Sequence, residues 1–166
     1  TEAGKRGLVV KVKDRLFQYP QARRDALVRT LRHTLEGAPD VLFAYLYGSF
    51  TTSGPFHDVD VAVYLRPEPA SNDPIAQHVG LRATALSAQL EAALAQDLEG
   101  AAPPVDVRAL NGAPLGFRYQ ALRGGHLLVS HDESFRVAWV ARTVARYLDL
   151  KPLREQALKE AMTACR

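Results

Sequence analysis

VLFAYLYGSFTTSGPFHDVDVAVYL, residues 41–65, is the stretch from which the fold can be read. Leu42 to Tyr47 carries no charge and is rich in aromatic and branched residues, as in a strand buried on both faces. Gly48-Ser49 breaks this run, and a residue without a side chain lets backbone N–H groups approach a bound group closely. In the second apolar run Val59, Val61 and Val63 alternate with Asp58, Asp60 and Ala62. A period of two places both carboxylates on one face of a strand, one pleat apart. Two like charges held that close repel unless a cation lies between them. An all-oxygen pair suits Mg²⁺, which takes carboxylates together with the phosphate oxygens of a substrate. Asp is depleted from strands, so surface decoration is a poor account of two of them beside a valine-rich buried run.

Working outward, Pro20 is suited to open a helix that reaches about Glu36, with Leu27, Leu31 and Leu35 one turn apart and Gly37 ending it. Arg23, Arg24, Arg29 and Arg32 fall mostly on its outer side and are expected to form a solvated face. Between Leu8 and Phe17 strand-like alternation competes with a helix-compatible run, so the fold of residues 1–19 stays open. Downstream, Asp73 can cap a helix that begins at Pro74. Ile75, Val79, Leu86, Leu90, Leu94 and Leu98 mark one stripe on it, expected to pack across the sheet.

Val105 to Leu110 is a third strand, with Asp106 on the face opposite Val105 and Val107. Spacing alone leaves Asp106 as either an exposed strand residue paired with Arg108 or a third acid facing Asp58 and Asp60. Asn111 can cap a helix from Pro114 to Arg123, ended by Gly124-Gly125. Arg118 and Arg123 are its candidates for holding phosphates, and Arg118 is the nearer to the acid-bearing strand. His126 to Ser130 is a short strand. Ser130-x-x-Glu133 matches a capping box for a helix along Val137, Val140, Val144 and Leu148, with Trp139 and Tyr147 extending it into a contact surface. Pro152 opens a last amphipathic segment with Leu153, Leu158 and Met162.

The chain has 166 residues and a formal net charge of +3. That length is expected to form one domain over residues 1–166, with a core at about 20–130 and a C-terminal helical segment at about 131–166. The charge is too small to predict direct nucleic-acid binding. The single cysteine, Cys165, excludes an intramolecular disulfide and a cysteine-based zinc cluster. No apolar run reaches membrane-spanning length and no signal peptide is evident, so no membrane partner is expected and the cytoplasm is the expected compartment.

Gly48-Ser49, the spacer FTTSGPFH and Asp58-Val59-Asp60 together resemble the signature of the polymerase β-like nucleotidyltransferases, in particular the minimal nucleotidyltransferase (MNT) family. The stretch from Val105 to Ser134 resembles that family's third-acid strand, the helix after it and the short strand beyond. The spacer is about two residues shorter than the family's usual one. Thr51, Thr52 or Ser53 replaces a common basic residue, and His57 stands where a Ser often precedes the first acid.

The resemblance implies an α+β fold, a small mixed sheet flanked by helices. It implies two Mg²⁺ ions held by Asp58, Asp60 and Asp106, the three catalytic acids, and ATP as nucleotide donor. Gly48 and Ser49 would contact the β- and γ-phosphates, with Arg118 as a further candidate there. It also implies a HEPN-family toxin as partner, modified on a hydroxyl, expected to be Tyr, so that the chain acts as an antitoxin. Two alternatives stay open: a nucleotidyltransferase acting on a small molecule or an RNA end, and a non-catalytic module that binds a toxin.

Overall fold

The computed structural model describes residues 15–67, 75–98 and 101–164. The expected loose end at Thr1–Arg6, the strand-or-helix choice at 8–14, the Asp73-Pro74 helix start and Cys165 lie outside the described residues. In chain order the elements are α1 (Gln21–Glu36), β1 (Val41–Tyr47), a 3₁₀ turn (Ser49–Thr51), β2 (Val59–Leu65), α2 (Ile75–Asp97), β3 (Val105–Ala109), α3 (Leu115–Arg123), β4 (His126–Ser130) and α4 (Glu133–Ala164). The strands form one mixed sheet in the order β3-β2-β1-β4. β1 runs antiparallel to β2 and β4, while β2 and β3 are parallel because α2 carries the chain back across the sheet.

Period two divides the sheet into two apolar faces. Ala44, Leu46, Val59, Val61, Val63, Val105 and Val107 pack with Leu27, Leu31 and Leu35 of α1 and Leu86, Leu90 and Leu94 of α2. Phe43, Tyr45 and Ala62 pack on the other face with Ala121 of α3 and Trp139 of α4. Burial of these side chains stabilises the sheet between its helices by about 1.5–3 kcal/mol for each large one. The outer edge of β3 is covered from α2: Val105 N donates to Glu91 Oε1 at 2.9 Å and Val107 N to Ser87 Oγ at 3.0 Å. Among the described residues no helix is long and apolar enough to cross a membrane.

Several local expectations are corrected. Arg24 is 5% exposed, not solvated, because the loop after β1 folds its carbonyls over it. Asn111 does not cap α3. Its side-chain amide accepts from Leu65 N and donates to Leu65 O, both at 2.8 Å, and so continues the hydrogen bonding of β2 beyond β3.

Asp132, not Ser130, caps α4: its Oδ1 accepts from Phe135 N at 2.9 Å, while Ser130 Oγ bonds the Glu133 side chain at 2.8 Å. α4 runs for 32 residues through Pro152, where a new segment was expected. One missing N–H is tolerated there because residues 151–157 are exposed and free to adjust. The packed face of α4 is also shifted from the expected stripe. Phe135, Trp139 and Thr143 face inward, whereas Val137 and Leu148 are 52% and 51% exposed. Trp139 is therefore core, 5.3 Å from Phe43 and 5.4 Å from Tyr64 between ring centroids, and not a contact surface.

Candidate active site

Strand register places the three acids at one end of the sheet. Asp60 and Asp106 are directly paired across the parallel β2–β3 ladder, and Asp58 immediately precedes β2 on the same pleat. Tyr47, the last residue of β1, is paired with Asp60 on the other side. The chain then turns at Gly48 with φ +79°, the left-handed region that favours glycine, and passes directly over the Asp60 carboxylate. In the 3₁₀ turn that follows, Thr51 N and Oγ1 donate to Gly48 O at 3.2 and 2.7 Å. Thr52 closes on Ser49 O in the same way, at 3.1 Å from N and 2.8 Å from Oγ1. Ser49 and Ser53 remain exposed on this loop.

Burial pushes the Asp60 carboxyl up to about 6, and the neighbouring charges of Asp58 and then Asp106 push the same way; the Arg108 guanidinium opposes them. Like charges gathered on a half-buried strand end raise the cost of ionising the central one. The Tyr47 phenol is raised as well, first by burial and next by Asp60. Its Oη is buried without a hydrogen-bond partner, and its ring meets Phe117 edge-on at 5.7 Å. Arg108 Nε donates to Asp106 Oδ2 at 2.9 Å. The pairing of Asp106 with Arg108 and its placement beside Asp60, alternatives at the level of spacing, hold together in the structure.

Tyr47 and Arg108 were not among the candidates drawn from the sequence. Period two carried the signal: Arg108 lies two residues beyond Asp106 on the same face, and Tyr47 ends the strand next to the Gly48 turn. Arg118 is placed against α4, its guanidinium 5.7 Å from the Trp139 ring centroid and its Nε buried without a partner. The cation that acts on Asp60 is Arg108.

These donors are all oxygens and all on one pleat, which fits a hard divalent cation and neither zinc nor a soft metal. The Asp60 carboxyl, raised by burial and by its acidic neighbours, fits the same group. Among the described residues no three such side chains are drawn together as a finished ligand set; Asp106 directs Oδ2 at Arg108.

A mixed sheet carrying a Gly-Ser turn, an Asp-x-Asp strand and a third acid on the parallel neighbour is the framework of nucleotidyl transfer. The family model described as Polymerase beta, Nucleotidyltransferase matches residues 29–134, more than half of the chain, and the chain belongs to that family. Solved structures share the fold. The chain is 20% identical to one from the complex of tri-AMPylated Shewanella oneidensis HEPN toxin with MNT antitoxin, covering 86% of this chain and 98% of that one, with a TM-score of 0.53. A chain from a toxin–antitoxin structure with AMP-PNP is also 20% identical, covers 84% and 98%, and has a TM-score of 0.55. One from the toxin–antitoxin MntA-HepT is 20% identical over 86% and 99%, with a TM-score of 0.52. Comparison with curated proteins finds no match.

Proposed function

We propose that this chain transfers an adenylyl group from ATP, with Mg²⁺, to a hydroxyl of a HEPN-family toxin, a Tyr by expectation, and so acts as its antitoxin. The observation that carries the reading is the direct pairing of Asp60 with Asp106 on parallel strands beside Asp58 and under the Gly48 turn. The structural likeness to MNT antitoxin complexes supports the choice of acceptor and partner, and the relative with AMP-PNP supports an adenine nucleotide.

In this reaction the acceptor oxygen attacks the α-phosphorus in line, the bond to pyrophosphate breaks and the hydroxyl proton is lost. Asp58, Asp60 and Asp106 would hold the divalent cations, which when bound neutralise charge on the attacking and leaving oxygens. Asp106, on the edge strand, would help take the acceptor's proton. Ser49 and the turn at Gly48 bind the polyphosphate through hydroxyl and N–H groups. Catalysis rests on positioning and charge neutralisation.

The test is incubation with Mg-ATP and a candidate HEPN-family toxin. An increase in mass of the HEPN protein, abolished by Asp60→Asn, is expected. No increase, or one indifferent to Asp60→Asn, rejects transfer. Tight toxin binding that is equally indifferent would establish occlusion in its place.

A further inference from the structure

Arg24 of α1 is held in the interior by backbone. Its guanidinium donates to four carbonyl oxygens: from Nε to Tyr19 at 3.3 Å, from Nη1 to Phe50 at 2.6 Å and Thr52 at 2.8 Å, and from Nη2 to Gly54. It also lies 5.0 Å from the ring centroids of both Phe50 and Phe56. These rings meet edge-on at 4.9 Å, and Phe56 is tied by a two-bond bridge to Phe17, so the clamp has a rigid floor.

Phe50, Thr52 and Gly54 alternate along the loop that joins the Gly48 turn to Asp58. In a planar trans peptide the carbonyl and the next N–H point in opposite directions. With carbonyls 50 and 52 turned to Arg24, the amides of Thr51 and Ser53 point away from it; residue 55 is Pro and has none. The Thr51 amide closes the turn, which leaves the Ser53 amide, with the exposed Ser49 and Ser53 hydroxyls, on the outward side. The spacer FTTSGPFH contains no Lys or Arg, so the loop brings no permanent cation of its own.

We propose that Arg24 is the positioning residue for the polyphosphate tail of the nucleotide. It gathers on its own charge the carbonyls that would repel phosphate oxygens and leaves the loop's N–H and hydroxyl groups to receive them. The inference rests on the nucleotidyltransferase reading and adds an element from outside the Gly-Ser and Asp-x-Asp motif. Only a planar fork can serve carbonyls at four positions; the ammonium of a lysine is a point charge with three donors.

Arg24→Lys is the test, read by titrating ATP and AMP into the wild type and the variant with Mg²⁺ present. Affinity for ATP is expected to fall about tenfold or more, with AMP changed by less than about twofold. In the transfer assay the KM for ATP should rise by a larger factor than kcat falls. Unchanged ATP affinity, or equal losses for ATP and AMP, overturns the proposal. Should the variant not fold, amide exchange of the wild type decides: protection of residues 49–53 by ATP but not by AMP is expected, and no protection by ATP overturns it. A wild type that binds no ATP at all rejects the underlying reading, whereas a wild type that binds beside an unaffected variant rejects the clamp alone.

Discussion

A Cβ on Gly48 would stand 2.0 Å from Asp60 Oδ2 and 2.9 Å from its Cγ. The motif glycine is therefore tied to the motif acid by space as well as by its positive φ. Gly48→Ala must move either the loop or the carboxylate. A displacement of about 1 Å at a reacting centre is enough to cost roughly 100-fold in rate, and the strained backbone costs of order 1–3 kcal/mol in stability. Both losses are expected, in kcat/KM and in thermal unfolding. Unimpaired transfer by Gly48→Ala would show that the close approach is not needed.

The raised Asp60 carboxyl sets a pH dependence. Between 3.8 and about 6 the folded protein binds more protons at this group than the unfolded chain does. Its contribution to stability therefore becomes unfavourable as pH rises through that window. Without metal, Asp60→Asn should gain on the wild type in unfolding free energy from about pH 4 to about pH 7, then level off. A difference flat with pH contradicts the burial and repulsion assigned to Asp60. Because protons compete with the cation for the same oxygens, Mg²⁺ should stabilise the wild type more above the window than within it.

Asn111 satisfies both backbone groups of Leu65. Asn111→Ala leaves a partly buried donor and acceptor without their partner, which costs about 1–3 kcal/mol. Denaturant unfolding should show that loss, and transfer at saturating substrate should persist below the new midpoint, since Leu65 ends β2 far from Asp60. A neutral substitution would mean that water replaces the amide.

At the start of α4 the cap belongs to Asp132. Asp132→Ala is expected to cost about 1 kcal/mol and Ser130→Ala a few tenths, read as unfolding midpoints. The reverse order would restore Ser130 as the cap.

Much of this architecture was legible in the sequence. Aromatic and branched runs located β1 and β2, the leucine stripes located the packed faces of α1 and α2, and period two put Asp58 and Asp60 on one face; spacing left Asp106 open, and the family resemblance made it the third acid. The order of the main helices and strands followed from these patterns, and the fold class from the resemblance to the polymerase β-like nucleotidyltransferases. What escaped depends on contacts distant in sequence. Arg24 reads as one of four helix arginines until a loop some 26 residues later folds over it. Asn111 looks like a cap because caps are local, yet its partner is Leu65 on the neighbouring strand. Trp139 reads as surface until Phe43 and Tyr64 define the face it covers. Pro152 looks like a boundary, although an exposed helix can absorb a missing N–H.

The most direct test is transfer of label from α-labelled ATP to the proposed HEPN-family toxin by the wild type, Asp60→Asn and Asp106→Asn, each confirmed as folded. Label on the toxin with the wild type, and none above background with either variant, is the predicted result. Label transferred equally by Asp106→Asn would contradict a centre built on the pairing of Asp60 with Asp106.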